Sequence, residues 1–253
     1  MTRLSTGDFD YDAHGQGYAR QRRADPRIAA LVHAALGPAR TVLNVGAGAG
    51  SYEPEDRHVI AIEPSPAMRA QRPAHLSPAI HGIAEKLPLD DRSVDAAMAT
   101  LTVHHWGNLE AGLAELVRVT RGPIVVMTFD AGEMDRLWLG EYAPELFAVE
   151  RGRYPAIAHI AAGLGGGCAV HPVPVALDCT DGFTDAFYGR PERFLDPAIR
   201  KSQSAWGFLA PGVEDRIVAT LAADLASGAW DAKYGYLRTQ PWFDGAVRLV
   251  VRP

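Results

Sequence analysis

The sequence predicts an α/β fold, a doubly wound and mainly parallel sheet flanked by helices. Three observations carry that prediction. Short apolar, β-branched runs alternate with amphipathic stretches through the first half of the chain, which is the pattern of successive β-α units. The run Val42-Leu43-Asn44-Val45 breaks at once into Gly46-Ala47-Gly48-Ala49-Gly50-Ser51, a buried strand entering a tight turn. The next run, Val59-Ile60-Ala61-Ile62, ends in Glu63-Pro64, so an acidic side chain closes the second strand. Such a carboxylate can accept both hydroxyls of a ribose, and bare glycine backbone lets a ligand approach closely. The two strand ends together describe a site for an adenosine-containing ligand.

The remaining elements follow in order. Asp25-Pro26 open a helix as N-cap and first residue, Ile28, Leu31, Val32, Ala35 and Leu36 give it an apolar face, and Gly37-Pro38 stop it. Ser65-Pro66 start a short helix after the second strand. Ala79-Ile80-His81 reads as a third strand and Val94 to Ala99 as a fourth. Asn108 caps a helix with Leu109, Leu113, Leu116 and Val117 on one side; Gly122-Pro123 ends it, and Ile124 to Thr128 is a fifth strand. Glu141 to Leu164 reads as one helix broken at Pro155, or as two. Val173 to Leu177 is the expected sixth strand, with Pro172 and Pro174 better suited to its end than its centre. Val213, Ile217, Val218, Leu221 and Leu225 share a helix face that ends at Ser227-Gly228. Ala246 to Val251 closes the chain as a last strand.

Composition narrows the classes. A length of 253 residues fits one α/β domain with an elaboration, and 47% hydrophobic with 22% charged residues is ordinary for a domain with a sizeable core. A net charge of −5 argues against a nucleic-acid surface. Two cysteines, Cys168 and Cys179, are too few for a disulfide scaffold. The amino terminus lacks the apolar stretch of a signal peptide, and no run reaches the ~18 apolar residues of a membrane span. A cytoplasmic protein, without membrane or nucleic-acid partners and either monomeric or homodimeric, is the expectation.

The glycine spacing discriminates between nucleotides. A dinucleotide fingerprint needs G-x-G-x-x-G, but here the third glycine comes one residue early and Ser51 occupies its place. No lysine follows, which excludes a P-loop. The residues instead resemble motif I of the class I S-adenosylmethionine-dependent methyltransferases, in the small-molecule group with a ubiquinone/menaquinone-type methyltransferase domain. The resemblance continues through Glu63, Ala84-Glu85 before Leu87-Pro88-Leu89, Val94-Asp95-Ala96-Ala97, Val103-His104-His105-Trp106 and Glu115-Leu116-Val117-Arg118-Val119. It covers residues 11–130 well and the remainder loosely.

This resemblance implies a Rossmann-like sheet of seven strands with an antiparallel last strand. It implies a single domain over 1–253, an N-terminal lid with the first helix over 11–36, and a helical substrate cap over 183–239, inserted before the last strand. S-adenosylmethionine is the implied methyl donor, S-adenosylhomocysteine the product, and no metal is expected. The implied donor contacts are Tyr18 from the lid, Asn44, Gly46, Ala47 and Gly48 at the first strand end, Glu63 and Pro64 at the ribose, Ala84 and Glu85 at the adenine edge, and Thr100 and Leu101 at the methionine portion. Asn44 departs from the family, which usually has an acid there. That departure favours an alternative, a protein of the same fold that does not methylate.

His104 and His105 are the candidate catalytic bases, since an imidazole with an ordinary pKa of ~6.5 can take a proton near neutral pH. His104 is favoured because it lies nearer the strand end. Trp106 can turn its π face toward a sulfonium or a flat substrate, and Tyr11 and Trp206 are the other candidate contacts of a small-molecule acceptor. Adjacent histidines lack the i, i+4 spacing of metal ligands.

Overall fold

The computed structural model describes residues 18–253. In chain order its elements are helices α1 (Tyr18–Gln21) and α2 (Pro26–Ala35), strands β1 (Thr41–Val45) and β2 (His58–Ile62), helix α3 (Pro66–Arg69), strand β3 (Ala96–Thr100), helix α4 (Leu109–Val119) and strand β4 (Ile124–Phe129). Helices α5 (Leu139–Tyr142), α6 (Pro144–Arg153) and α7 (Ile157–Gly163) follow, then strands β5 (Ala169–Pro172) and β6 (Val175–Ala176). Helices α8 (Pro197–Lys201), α9 (Val213–Ser227) and α10 (Ala229–Tyr234) precede strands β7 (Trp242–Phe243) and β8 (Val247–Arg252).

Local chemistry explains the helix ends. Asp25 accepts a hydrogen bond from the Arg27 N–H, Ser65 from Met68, and Asn108 from Ala111, each satisfying a donor that the first helical turn leaves open. Gly228, in the left-handed region, closes α9.

The main sheet has the order β2-β1-β3-β4-β8-β5. β1 runs parallel to β2 and β3, and β3 to β4, while β8 is antiparallel to both of its neighbours. Side chains alternate across it. Val42, Met98, Val125 and Met127 face a core with Ile28 and Val32 of α2, whereas Leu43, Ala97 and Val126 face Leu113 and Leu116 of α4 and Ile160 of α7. Both faces are therefore buried, which is why the strands read as continuous apolar runs. Because β1 to β4 are parallel, their carboxyl ends share one edge, and the loops that leave that edge build the site.

Two expected strands are corrected. The sheet has six strands rather than seven, because Ala79 to His81 makes only a bridge: Ile80 donates to Ala61 O at 2.8 Å and accepts from Glu63 N at 3.0 Å. Pro78 has no N–H to extend the ladder, and at Gly82 a Cβ would lie 2.9 Å from Ile62 Cγ2. The sixth strand lies earlier than expected, at Ala169–Pro172, on an exposed edge. Beyond it Pro174 cannot donate, and the chain peels away to pair β6 with β7 in a separate two-stranded sheet.

The region 183–239 forms helices and 3-10 turns, and α5 and α6 pack against it. Trp138 meets Phe194 and Trp230 edge to face, with ring centroids 5.9 and 5.3 Å apart, and its indole donates to Tyr188 O at 2.7 Å. Tyr142 donates to Asp224 on α9. Among the described residues no helix is long and apolar enough to cross a membrane.

Asp185 joins this layer to the sheet. Its carboxylate accepts from Ala246 N at 2.7 Å, just before β8. A Cβ at Gly245 would come 2.1 Å from the same oxygen, so that close approach requires glycine. Burial raises the Asp185 pKa to about 6, against the opposing pull of the Ala246 N–H and Arg248. Folding therefore favours its protonated form, and its contribution to stability is complete in acid and lost as pH rises through about 6. Asp185→Asn should abolish that dependence. Relative to the variant, the wild type should lose roughly 3 kcal/mol between about pH 4 and pH 6 in urea melts; a difference independent of pH would contradict it.

Candidate active site

The first strand end is built on glycine for a steric reason. Gly46 has φ +69°, and a Cβ there would fall 2.0 Å from the Thr102 hydroxyl. The N–H groups of Gly46 and Ala47 both donate to Ile62 O, at 2.9 and 3.0 Å, which brings the turn beside the end of β2. There Glu63 is 7% exposed. One carboxylate oxygen accepts from Gly48 N at 2.8 Å and the other from Ser65 N at 2.8 Å. Burial raises its pKa, while those two N–H groups, Arg69 and Arg72 favour the charged form.

A cleft opens over these strand ends. Gly46, Ala47, Gly48, Glu63 and Pro64 form one wall, Ala84 and Glu85 another, and Thr100, Leu101, His105 and Trp106 the third. Each Glu63 oxygen uses one lone pair on backbone and retains another, the acceptor set a ribose diol needs. Glu85 accepts from Asn108 N at 2.9 Å, which holds its side chain at the cleft rim. Trp106 packs on α4, and Gly112 makes the space: a Cβ there would lie 2.4 Å from the indole.

Asn44 stands behind this cleft rather than in it. It is fully buried, and its amide donates to Glu53 at 2.9 Å; Glu53 in turn is paired with Arg72 at 2.8 and 3.0 Å. An acid at position 44 would face the buried Glu53 carboxylate across hydrogen-bond distance. Asparagine thus supplies a donor to this buried acid, while its Oδ1 is left without a hydrogen-bond partner.

A second, smaller chamber adjoins the cleft and shares Leu101 and His105 with it. Leu101 holds the unusual φ of +53° at this shared wall, donating to Met127 O at 2.7 Å. His104 lines only the second chamber, with Phe129, Tyr154, Phe183 and Gln203. Its pKa is driven well below 6.5 by burial first, then by His105, Arg153 and Arg22. Arg153 reaches His105 Nδ1 at 3.4 Å and Ser204 at 3.0 Å, joining α6 to the 183–239 region beside this wall.

Trp206 does not reach either cavity. It is buried in the aromatic core, and its indole donates to Gln203 at 3.0 Å, so it supports a chamber residue without lining the chamber. Tyr11 and the side chain of Tyr18 lie outside the described residues. Sequence reasoning missed Ser65, Met68 and Thr102 in the cleft, of which only the Ser65-Pro66 helix start beside Glu63 offered a local signal. It also missed Arg22, Phe129, Glu150, Tyr154 and Gln203, which come from well-separated segments. Among the described residues no group of three or more His, Cys, Asp or Glu side chains could hold a metal ion.

The fold is a doubly wound α/β sheet with a cleft at the carboxyl strand ends, where ligands bind in such folds. Comparison with known proteins narrows the class. Residues 43–123 match the methyltransferase domain family. The chain is 33% identical over 110 residues to a malonyl-[acyl-carrier protein] O-methyltransferase of Serratia marcescens, covering 40% of this chain and 42% of that protein. It is 37% identical over 91 residues to an uncharacterized methyltransferase of Mycobacterium tuberculosis, covering 33% of this chain and 36% of that protein. The chain thus spans about two fifths of the length of the curated relatives it matches. A crystal structure from Anabaena variabilis, of a protein assigned as a methyltransferase of an antibiotic biosynthesis pathway, superposes with TM-score 0.84 at 29% identity over 92% of this chain and 99% of that one. The segment 43–123 thus belongs to the methyltransferase domain family, and the chain shares the fold of the class I S-adenosylmethionine-dependent methyltransferases.

Two substitutions probe the site. Glu63→Ala removes the carboxylate expected to accept from the ribose and releases Gly48 and Ser65, so S-adenosylhomocysteine affinity should fall roughly 10²-fold or more by calorimetry. Near-wild-type affinity would remove Glu63 from the nucleotide site. Asn44→Asp should lower stability by on the order of 3 kcal/mol without tightening cofactor binding, because it buries a second carboxylate beside Glu53. A variant of unchanged melting temperature would contradict that account.

Proposed function

We propose that this protein transfers a methyl group from S-adenosylmethionine to a small-molecule acceptor in biosynthetic metabolism. The observation that carries this reading is the cleft at the carboxyl strand ends, where Glu63 meets the glycine turn, with a smaller chamber adjoining it at Leu101 and His105. The similarity to an O-methyltransferase of Serratia marcescens and to the Anabaena variabilis protein supports it.

In this reading S-adenosylmethionine is a consumed co-substrate that supplies an electrophilic methyl group. Glu63 holds the ribose, the Ala84-Glu85 segment meets the adenine edge, and the Gly46–Gly48 backbone cradles the remainder. Thr100 and Leu101 set the depth of the methionine portion. His105 and Leu101 then bound the space across which the acceptor atom must approach the methyl carbon. The 183–239 region roofs the second chamber and limits water there. Alignment of this kind can supply on the order of 7–11 kcal/mol in ideal systems.

The test combines calorimetry with mass spectrometry. The protein should bind S-adenosylhomocysteine, and incubation with methyl-labelled S-adenosylmethionine and a metabolite extract should give a labelled small molecule. Failure to bind S-adenosylhomocysteine would overturn the reading, and binding without any labelled product would favour the non-methylating alternative.

A further inference from the structure

Three segments meet at one buried carboxylate that lines neither the cleft nor the chamber. Asp181 is 1% exposed; one of its oxygens accepts from Arg22 Nε at 2.6 Å and the other from the Tyr52 hydroxyl at 2.7 Å. Tyr52 directly follows the glycine turn and the cleft residue Ser51. Arg22 lies between α1 and α2, and Asp181 begins the segment that leads into the 183–239 region.

The backbone is shaped around this junction. Arg22 and Asp181 form an antiparallel bridge, and a Cβ at Gly182 would fall 2.5 Å from Gln21 O, so the close approach requires glycine. Thr180 extends the join, its N–H donating to Asp25 at 3.2 Å and its hydroxyl to Ala24 O at 3.3 Å. On the other side Tyr52 holds φ +64°, in the left-handed region that a bulky residue rarely adopts. Such a conformation persists where its surroundings over-determine it, and here the Tyr52 carbonyl meets His33 Nε2 at 3.0 Å while the hydroxyl is fixed by Asp181. The junction also touches both cavities through its neighbours. Arg22 and Phe183 line the chamber, and Gly182 O accepts from the chamber residue Gln203 at 3.0 Å. Ser51 lines the cleft, and its hydroxyl approaches Arg22 O at 3.5 Å.

We propose that Asp181 is a positioning residue: through Tyr52 it ties the glycine turn to the 179–185 segment, so that a nucleoside bound on the turn orders the wall of the acceptor side. This rests on the methyltransferase reading and adds a coupling to it. A ligand seated on Gly46–Gly48 fixes the turn, the fixed turn holds the Tyr52 hydroxyl, and the hydroxyl holds Asp181. Arg22 and Phe183 then follow, one by its ion pair and the other by its place two residues on. The link is stiff because Asp181 can release Tyr52 only by leaving a buried carboxylate oxygen unmatched. Coupling of this kind is reciprocal, so loosening the Tyr52–Asp181 contact also lowers affinity at the turn.

Hydrogen exchange read by mass spectrometry, with and without S-adenosylhomocysteine, measures the coupling, and calorimetry measures affinity. In the wild type, S-adenosylhomocysteine should slow exchange across 179–185 more than across α9 in the helical layer. Tyr52→Phe should reduce that extra slowing to the α9 level and weaken S-adenosylhomocysteine roughly tenfold. Tyr142→Phe is the matched control: it removes a tyrosine hydrogen bond to a carboxylate, that of Asp224 at 2.8 Å, within the helical layer. It should leave both readings unchanged. Asp181→Asn should act as Tyr52→Phe does, and Tyr52→Phe alone decides the matter if Asp181→Asn fails to fold. Slowing at 179–185 no greater than in α9 in the wild type, or undiminished in Tyr52→Phe, would overturn the proposal. So would equal losses in Tyr52→Phe and Tyr142→Phe, the mark of general destabilisation. A wild type that binds no S-adenosylhomocysteine would overturn the methyltransferase reading and this proposal with it, whereas the other adverse outcomes leave that reading standing.

Discussion

One carboxylate organises the working end of this sheet. Glu63 holds the Gly48 N–H with one oxygen and the Ser65 N–H with the other, so the loops leaving β1 and β2 are joined through a single side chain. The position is costly, because a carboxylate that is almost buried loses its hydration. Two backbone donors and the nearby Arg69 and Arg72 offset that cost. The glycine turn, the start of α3 and the floor of the cleft all take their positions from this contact.

A second buried pair supports the first from behind. Glu53 and Arg72 are hidden from solvent, and Arg72 also approaches Gly48 O at 3.5 Å. The Asn44 amide closes this cluster from inside β1. The parallel register that aligns Asn44 with Ala61 and Met98 places it on the face opposite Leu43 and Val45, toward this network. Its chemistry is that of a donor to a buried acid.

The helical layer acts on the other side. Region 183–239 and the α5–α6 segment share an aromatic core around Trp138, Phe194 and Trp230, which spends most of the large side chains on packing. What remains for the chamber is a small set, and the chain that precedes α2 reaches it through Arg22 and Asp181. The chamber is therefore assembled from several separate segments, and its polarity is set by ion pairs that close inside the protein.

What the sequence by itself determined was whatever a few neighbouring residues decide. The parallel β-α rhythm, the helix caps at Asp25, Ser65 and Asn108, the glycine turn and the acidic end of β2 are all local patterns, and most of the cleft wall followed from them. Short elements beside proline were less legible, because whether Ile80 extends a strand, or Val173 leaves one, depends on which neighbour offers a free backbone partner. Only the tertiary structure decided the surroundings of Asn44, Trp206 and the two histidines. Asn44 faces Glu53 because of strand register, Trp206 turns to the core because α9 and α10 supply it, and His104 is separated from the cleft by the left-handed turn at Leu101. The second chamber was invisible to sequence for the same reason. Phe129, Tyr154, Phe183 and Gln203 carry no shared spacing, and only the closing of the helical layer over the sheet edge brings them to one surface.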